Sequence, residues 1–147
     1  MQLKESYLEF TALTNYFKGF SLLLVRIALA YGFYGPALMK WSNIDATSQW
    51  FASLGIPFPT VSTFVVASFE VTAVVLLLLG LFTRFIALPL MVIMTVAILT
   101  VHLSNGFSVG NNGFEIPLYY FLFLFILATQ GAGKFSLDYL FTKKEEL

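Results

Sequence analysis

The chain contains no cysteine. That excludes a structural disulfide, a thiolate metal site and any thiol–disulfide chemistry carried by the chain itself. A single histidine beside that absence argues against a protein-only transition-metal site. Charge is equally scarce. Eight basic and eight acidic residues make up 11% of 147 positions, against roughly 25% in average soluble proteins. Their sum is zero, so no net field draws the chain toward nucleic acid. Residues 1–19, MQLKESYLEFTALTNYFKG, lack the apolar core and small-residue cleavage site of a secretory signal.

What is present is apolar. Hydrophobic residues make up 59% of the chain, aromatics 18%, and mean hydropathy is +0.84. A water-soluble fold of this size could not hide that much apolar surface, so the chain reads as an integral membrane protein. A bilayer core takes about 20 apolar residues per helix. Four stretches qualify, at about 20–39, 60–82, 85–103 and 116–130, the last slightly short. The fold class predicted is all-α: an up-down-up-down four-helix bundle within 20–141. Residues 1–19 precede it, with Tyr7, Phe10, Leu13 or Thr14, and Phe17 at helical spacing. They read as an amphipathic helix at the membrane surface, with a frayed polar tail as the alternative. Residues 142–147 form a charged tail.

The connections carry further signals. Between the first two spans, Asp45 or Thr47 can cap a short helix reaching Leu54, which Gly55 ends before Pro57 and Pro59. Trp41, Trp50, Phe51 and Phe58 suit an interfacial aromatic belt there. Only Thr83-Arg84 separates spans two and three, which predicts a tight hairpin. SNGFSVGNNG, residues 104–113, is a loop. Pro36 is expected to kink or end the first span. Ala28, Gly32 and Gly35 allow close helix approach. With four spans, one side holds Lys4, Lys18, Arg84, Lys134, Lys143 and Lys144, and the other only Lys40. Both termini are therefore expected in the cytoplasm.

Ionisable groups inside spans are functional candidates, because burial in lipid costs several kcal/mol unless they are paired. At about 1.5 Å per residue, Arg26 lies about 10 Å in from the cytoplasmic boundary and Glu70 about 18 Å. An arginine side chain spans that gap, so Arg26 is the expected partner of Glu70, as an interhelical clamp or as a ligand or proton site. Arg84 sits at the boundary as a topology anchor able to snorkel to headgroups. Lys40, His102 and Glu115 end or open three spans on the outer side and are expected to form a polar pocket beneath the linker helix. The histidine is the residue there most able to change charge near neutral pH. No nucleophile–base pair, phosphate loop or metal-ligand run appears.

The ordered set of pieces resembles the DoxX family of small four-helix membrane proteins. These are Arg26 with IALAYGFYGPALMK, SLGIPFP at 53–59, Glu70, and LLLGLFTR at 77–84. They continue with PLMVIMTVAILTVH at 89–102, NNGFE at 111–115 and GAGKFSLDYLF at 131–141. The last two look most like the branch encoded beside maturation enzymes for copper-binding modified peptides. The resemblance implies a bacterial inner-membrane bundle, with some relatives serving as subunits of a thiosulfate:quinone oxidoreductase. It carries over to Arg26, Lys40, Glu70 and Arg84, and to Glu115. Without cysteine, a redox role needs a bound quinone or a partner subunit.

Three functions are consistent with these residues, and whether the chain is an enzyme stays open. In the first, a redox-associated membrane subunit holds a quinone-sized ligand. Arg26 or Lys40 bonds its carbonyl oxygens, and Glu70 or Glu115 exchanges protons. In the second, a non-catalytic scaffold or chaperone docks a redox or maturation partner through Trp50, Phe51 and Phe58. The third, a small transporter, would require an oligomer.

Overall fold

The structure, a computed structural model, describes residues 2–144, and all regular structure within them is helical, with no strand among the described residues. Of the charged tail, residues 145–147 lie outside the described range. Seven α-helices follow one another: α1 (Gln2–Tyr16), α2 (Lys18–Ser42), α3 (Ile44–Ser53), α4 (Pro59–Leu79), α5 (Thr83–Ala97), α6 (Glu115–Gln130) and α7 (Leu137–Lys144). A π-helical turn, Ile98–His102, and a 3-10 turn, Leu103–Asn105, extend α5 to the full length of a span. Three helices are long and apolar enough to cross a bilayer, namely Lys18–Ser42, Pro59–Leu79 and Thr83–Asn105, and the apolar α6 is shorter. At sixteen residues, α6 is about 24 Å long, a few ångströms less than a typical hydrocarbon core.

Local chemistry accounts for the boundaries. Pro59 starts α4, where its missing N–H costs nothing. Gly80, at φ +65, ends it, and the Leu81 N–H returns to Leu76 O at 3.0 Å in a glycine-dependent helix stop. The turn between spans two and three is therefore residues 80–82, not Thr83-Arg84. Those two residues form the first turn of α5. The linker helix α3 forms between Asn43 and Leu54, with Gly55 at φ +74 after it. Its start is neither Asp45 nor Thr47, and no side chain caps it. Pro36 does not end α2, which continues to Ser42.

The helices pack in neighbouring pairs. α2 lies mainly on α4 and α5 on α6, while α3 folds back across α4. Leu29, Phe33, Ala73, Leu77, Ala87, Leu90, Leu124 and Leu127 form the shared core. Along α4 the buried residues are Thr63, Ala67, Glu70, Ala73 and Leu77, one stripe at helical spacing. The other faces of the spans expose Leu24, Val65, Val75, Leu88, Val92 and Phe125, the apolar surface that lipid must cover. Gly32 is a close-approach residue as expected: a Cβ there would lie 1.8 Å from the Tyr120 hydroxyl. Ala28 and Gly35 are not, since Ala28 is exposed and nothing lies within 4 Å of a Cβ at Gly35.

Candidate functional site

Glu70 does not pair with Arg26. Its carboxylate is bridged by Lys40, with Nζ 2.8 Å from Oε2 and 3.1 Å from Oε1. The two side chains are 3% and 11% exposed, and this is the one ion pair among the described residues. The reason is the direction of side chains on antiparallel helices. Every Cα–Cβ bond tilts toward its own helix N-terminus. Lys40, near the end of α2, therefore reaches back into the bundle, and Glu70 on the oppositely directed α4 reaches outward to meet it. Arg26, on the same helix as Lys40, tilts the same way, toward the start of α2 and the end of α4, and so away from Glu70.

Other polar groups share the Lys40–Glu70 end. The Trp41 indole N–H donates to Ala67 O at 3.1 Å, one turn from Glu70. Beneath α3, the Ser48 hydroxyl donates to Thr63 Oγ1 at 3.2 Å, and Thr63 donates to Pro59 O at 2.9 Å. Thr63 and Ser48 are buried. The site is thus a polar strip in one half of the α2–α3–α4 layer, with Lys40–Glu70 at its inner limit.

The expected pocket of Lys40, His102 and Glu115 does not form. Glu115 turns to its own loop: Oε2 accepts the Val109 N–H at 2.9 Å and Oε1 the Tyr119 hydroxyl at 3.4 Å. His102 Nδ1 lies 2.8 Å from Asn112 O, and Asn105 donates to the same carbonyl at 3.2 Å. Residues 106–114 fold onto themselves through Gly113 N–H to Ser108 O and Phe114 N–H to Gly106 O. Their local bonds use the polar groups that were expected to face Lys40.

Arg26 instead organises the opposite end. It is fully buried, and Nη1 donates to Leu77 O at 2.9 Å and Leu78 O at 3.4 Å, while Nη2 donates to Phe135 O. Leu77 O and Leu78 O belong to the last turn of α4, whose carbonyls lack the usual intrahelical partners, and Phe135 O belongs to the segment between α6 and α7. A Cβ on Gly80 would lie 2.3 Å from Arg26 Nη1, so this residue serves both the turn and the arginine. Asp138 completes the lock. Its carboxylate accepts the Phe82 N–H at 2.8 Å and the Thr83 N–H at 3.0 Å, capping α5, and its own N–H donates to Gly80 O at 2.9 Å. Arg84 caps α6 through Nη1, bonded to Ala128 O at 2.9 Å and Thr129 O at 2.7 Å. Arg84 thus ties the start of α5 to the end of α6.

Asp138 and Gly80 were not among the expected site residues. The signal lay in the sequence as LLLGLFTR and GAGKFSLD, two stretches whose polar and glycine positions meet only in the fold. Among the described residues, no three or more His, Asp or Glu side chains gather as a metal set.

A bundle with three full-length apolar helices, a fourth shorter one and a buried ion pair defines a helical membrane protein. The DoxX family profile matches residues 21–103, and the chain belongs to that family. It is 39% identical over 133 residues to an uncharacterized protein of Haemophilus influenzae, covering 85% of each chain. It is 32% identical to the putative oxidoreductase CatD of Bacillus subtilis, over 79% of this chain and 83% of CatD. It is also 40% identical to the inner membrane protein YphA of Escherichia coli, over 43% of this chain and 45% of YphA. No solved structure matches the chain. The family match takes in Arg26, Lys40, Glu70 and Arg84, and ends before Glu115 and Asp138.

Proposed function

We propose that the chain is a membrane subunit of a redox-associated system that holds a quinone-sized ligand beside Lys40 and Glu70. The observation that carries this reading is the ion pair itself, buried between two spans where an apolar pair would pack at lower cost. The name of the Bacillus subtilis relative, a putative oxidoreductase, supports the same class. The donor set suits a quinone. Lys40 has three N–H donors, of which the two Glu70 oxygens take no more than two, so one is left for a carbonyl oxygen. Glu70 would exchange a proton at that oxygen through the shared lysine contact. A bound quinone would supply the electron-accepting chemistry that a chain without cysteine lacks. Electrons would come from a partner subunit.

The same proposal places the protein in a bacterial inner membrane with both termini cytoplasmic. Lys4, Lys18, Arg84, Lys134 and Lys143 lie toward that side against Lys40 on the other. It also lays α1 on the membrane surface, where Tyr7, Phe10, Leu13 and Phe17, all exposed in the isolated chain, meet lipid.

The test is extraction of lipid-soluble quinone from protein purified in neutral detergent. Quinone should accompany the wild-type protein and be lost from Glu70→Gln. A wild-type preparation free of quinone, or equal retention by the variant, rejects the reading. One observation favours a second reading, a scaffold that docks a partner at the outer end. Phe58 is 81% exposed on a strained backbone at φ +48, and Trp50 on the linker helix is exposed as well. Phe51, also expected as a docking contact, is buried against the bundle. In this case Trp50→Ala with Phe58→Ala abolishes function, and an apolar replacement of Lys40–Glu70 preserves it.

A further inference from the structure

At the end of the bundle away from Lys40, a groove of about 830 Å³ opens between the starts of α2 and α5, the segment 131–134 and α7. Three cations line it, Lys18, Arg84 and Lys134, against one carboxylate, Asp138. That carboxylate is already occupied by the Phe82 and Thr83 N–H groups. Cations serving only to set topology would splay outward into water. Here two glycines let them converge. A Cβ on Gly19 would lie 3.2 Å from Lys134 Cβ, so Lys134 packs directly beside the turn that carries Lys18. A Cβ on Gly131, at φ +80, would lie 3.2 Å from Arg84 Nε and 3.3 Å from Nη2.

The state of the Arg84 guanidinium matters most. Nη1 is committed to the end of α6. Among the described residues, Nε and Nη2 make no hydrogen bond. They form the planar two-donor edge that matches two oxygens of a phosphate. Beside this edge the groove wall turns apolar, with Leu22, Leu81, Phe82 and Phe85. Phe82 is 58% exposed and Phe85 74%. A cationic recess joined to exposed aromatic surface at the end of membrane spans is complementary to an anionic head on an acyl chain.

We propose that this groove is a binding site for a phosphate-bearing amphiphile, an anionic phospholipid. The phosphate would lie on the Nε/Nη2 edge of Arg84 between Lys18 and Lys134, and an acyl chain would run along Phe82 and Phe85. The assignment is independent of any ligand at Lys40–Glu70.

Native mass spectrometry in neutral detergent tests it, with dioleoyl phosphatidylglycerol, phosphatidylcholine of the same chains, and inorganic phosphate as probes. Phosphatidylglycerol should bind saturably and more tightly than phosphatidylcholine, and millimolar inorganic phosphate should not displace it. Lys18→Gln with Lys134→Gln leaves the Arg84 cap on α6 in place. At about fivefold per cation, this pair should weaken phosphatidylglycerol binding roughly 25-fold. Equal binding of the two lipids overturns the proposal, as does wild-type affinity in the double variant. Displacement by inorganic phosphate would show a soluble-anion site and overturn the amphiphile assignment. The wild-type protein alone supplies a further check, because affinity that does not fall with added salt also rejects it.

Discussion

Replacing Lys40 by methionine would leave the Glu70 carboxylate, 3% exposed, without its one charged partner among the described residues. At the observed 2.8 Å, the direct attraction is about 6 kcal/mol for an effective dielectric of about 20. Most of that is offset by the cost of removing both ions from water, so the pair adds little compared with an apolar pair of similar size. Stranding one charge is a different matter, with a typical cost of about 3–5 kcal/mol. Lys40→Met alone should therefore destabilise the bundle by about that much, and Glu70→Leu alone by a comparable amount. The combined variant should fall within about 1–2 kcal/mol of wild type, because neither charge is left behind. Equilibrium unfolding in detergent micelles, arranged as a double-mutant cycle, reads the coupling directly. A second cycle pairs Arg26→Met with Glu70→Leu, and it should be additive within about 0.5 kcal/mol because the two side chains point to opposite ends. Additivity for Lys40 with Glu70, or strong coupling for Arg26 with Glu70, would refute the pairing.

Gly80→Ala should be costly twice over. The new Cβ would lie 2.3 Å from Arg26 Nη1 on a backbone at φ +65, which together should remove about 2–4 kcal/mol and lower the melting temperature in detergent. Asp138→Ala uncaps two backbone N–H groups at the start of α5. It should cost about 1–2 kcal/mol and speed hydrogen exchange at Phe82 and Thr83, while amides around Glu115 keep their wild-type rates.

The spans were legible because lipid burial is a property of runs of residues. Pro59, Gly55 and the apolar stretches marked element ends closely. The hairpin turn was displaced because Leu79, Leu81 and Phe82 are as apolar as the helix before them, and the left-handed backbone at Gly80 and Phe82 marks the turn. The candidate ionisable residues were identifiable one by one, since charge in an apolar run is conspicuous. Their partners were not. Counting rise per residue places Arg26 and Glu70 within side-chain reach, but it omits the tilt of each Cβ toward its helix N-terminus. Glu115 illustrates a second limit, because it bonds a backbone N–H six residues away in a loop whose path no periodicity describes.

Composition by itself thus determined that this chain lives in a bilayer, as helices, with its few charges held where they must be satisfied. A run of about 20 apolar residues matches the hydrocarbon thickness, and in lipid only a helix satisfies its backbone bonds within a single run. Which charge meets which was decided by the tertiary structure alone. It depends on helix direction, on the offset between α2 and α4, and on segment 131–138 returning to the end of α4. Those relations place Lys40 on Glu70, Asp138 on the start of α5 and Arg26 on the carbonyls that α4 leaves open.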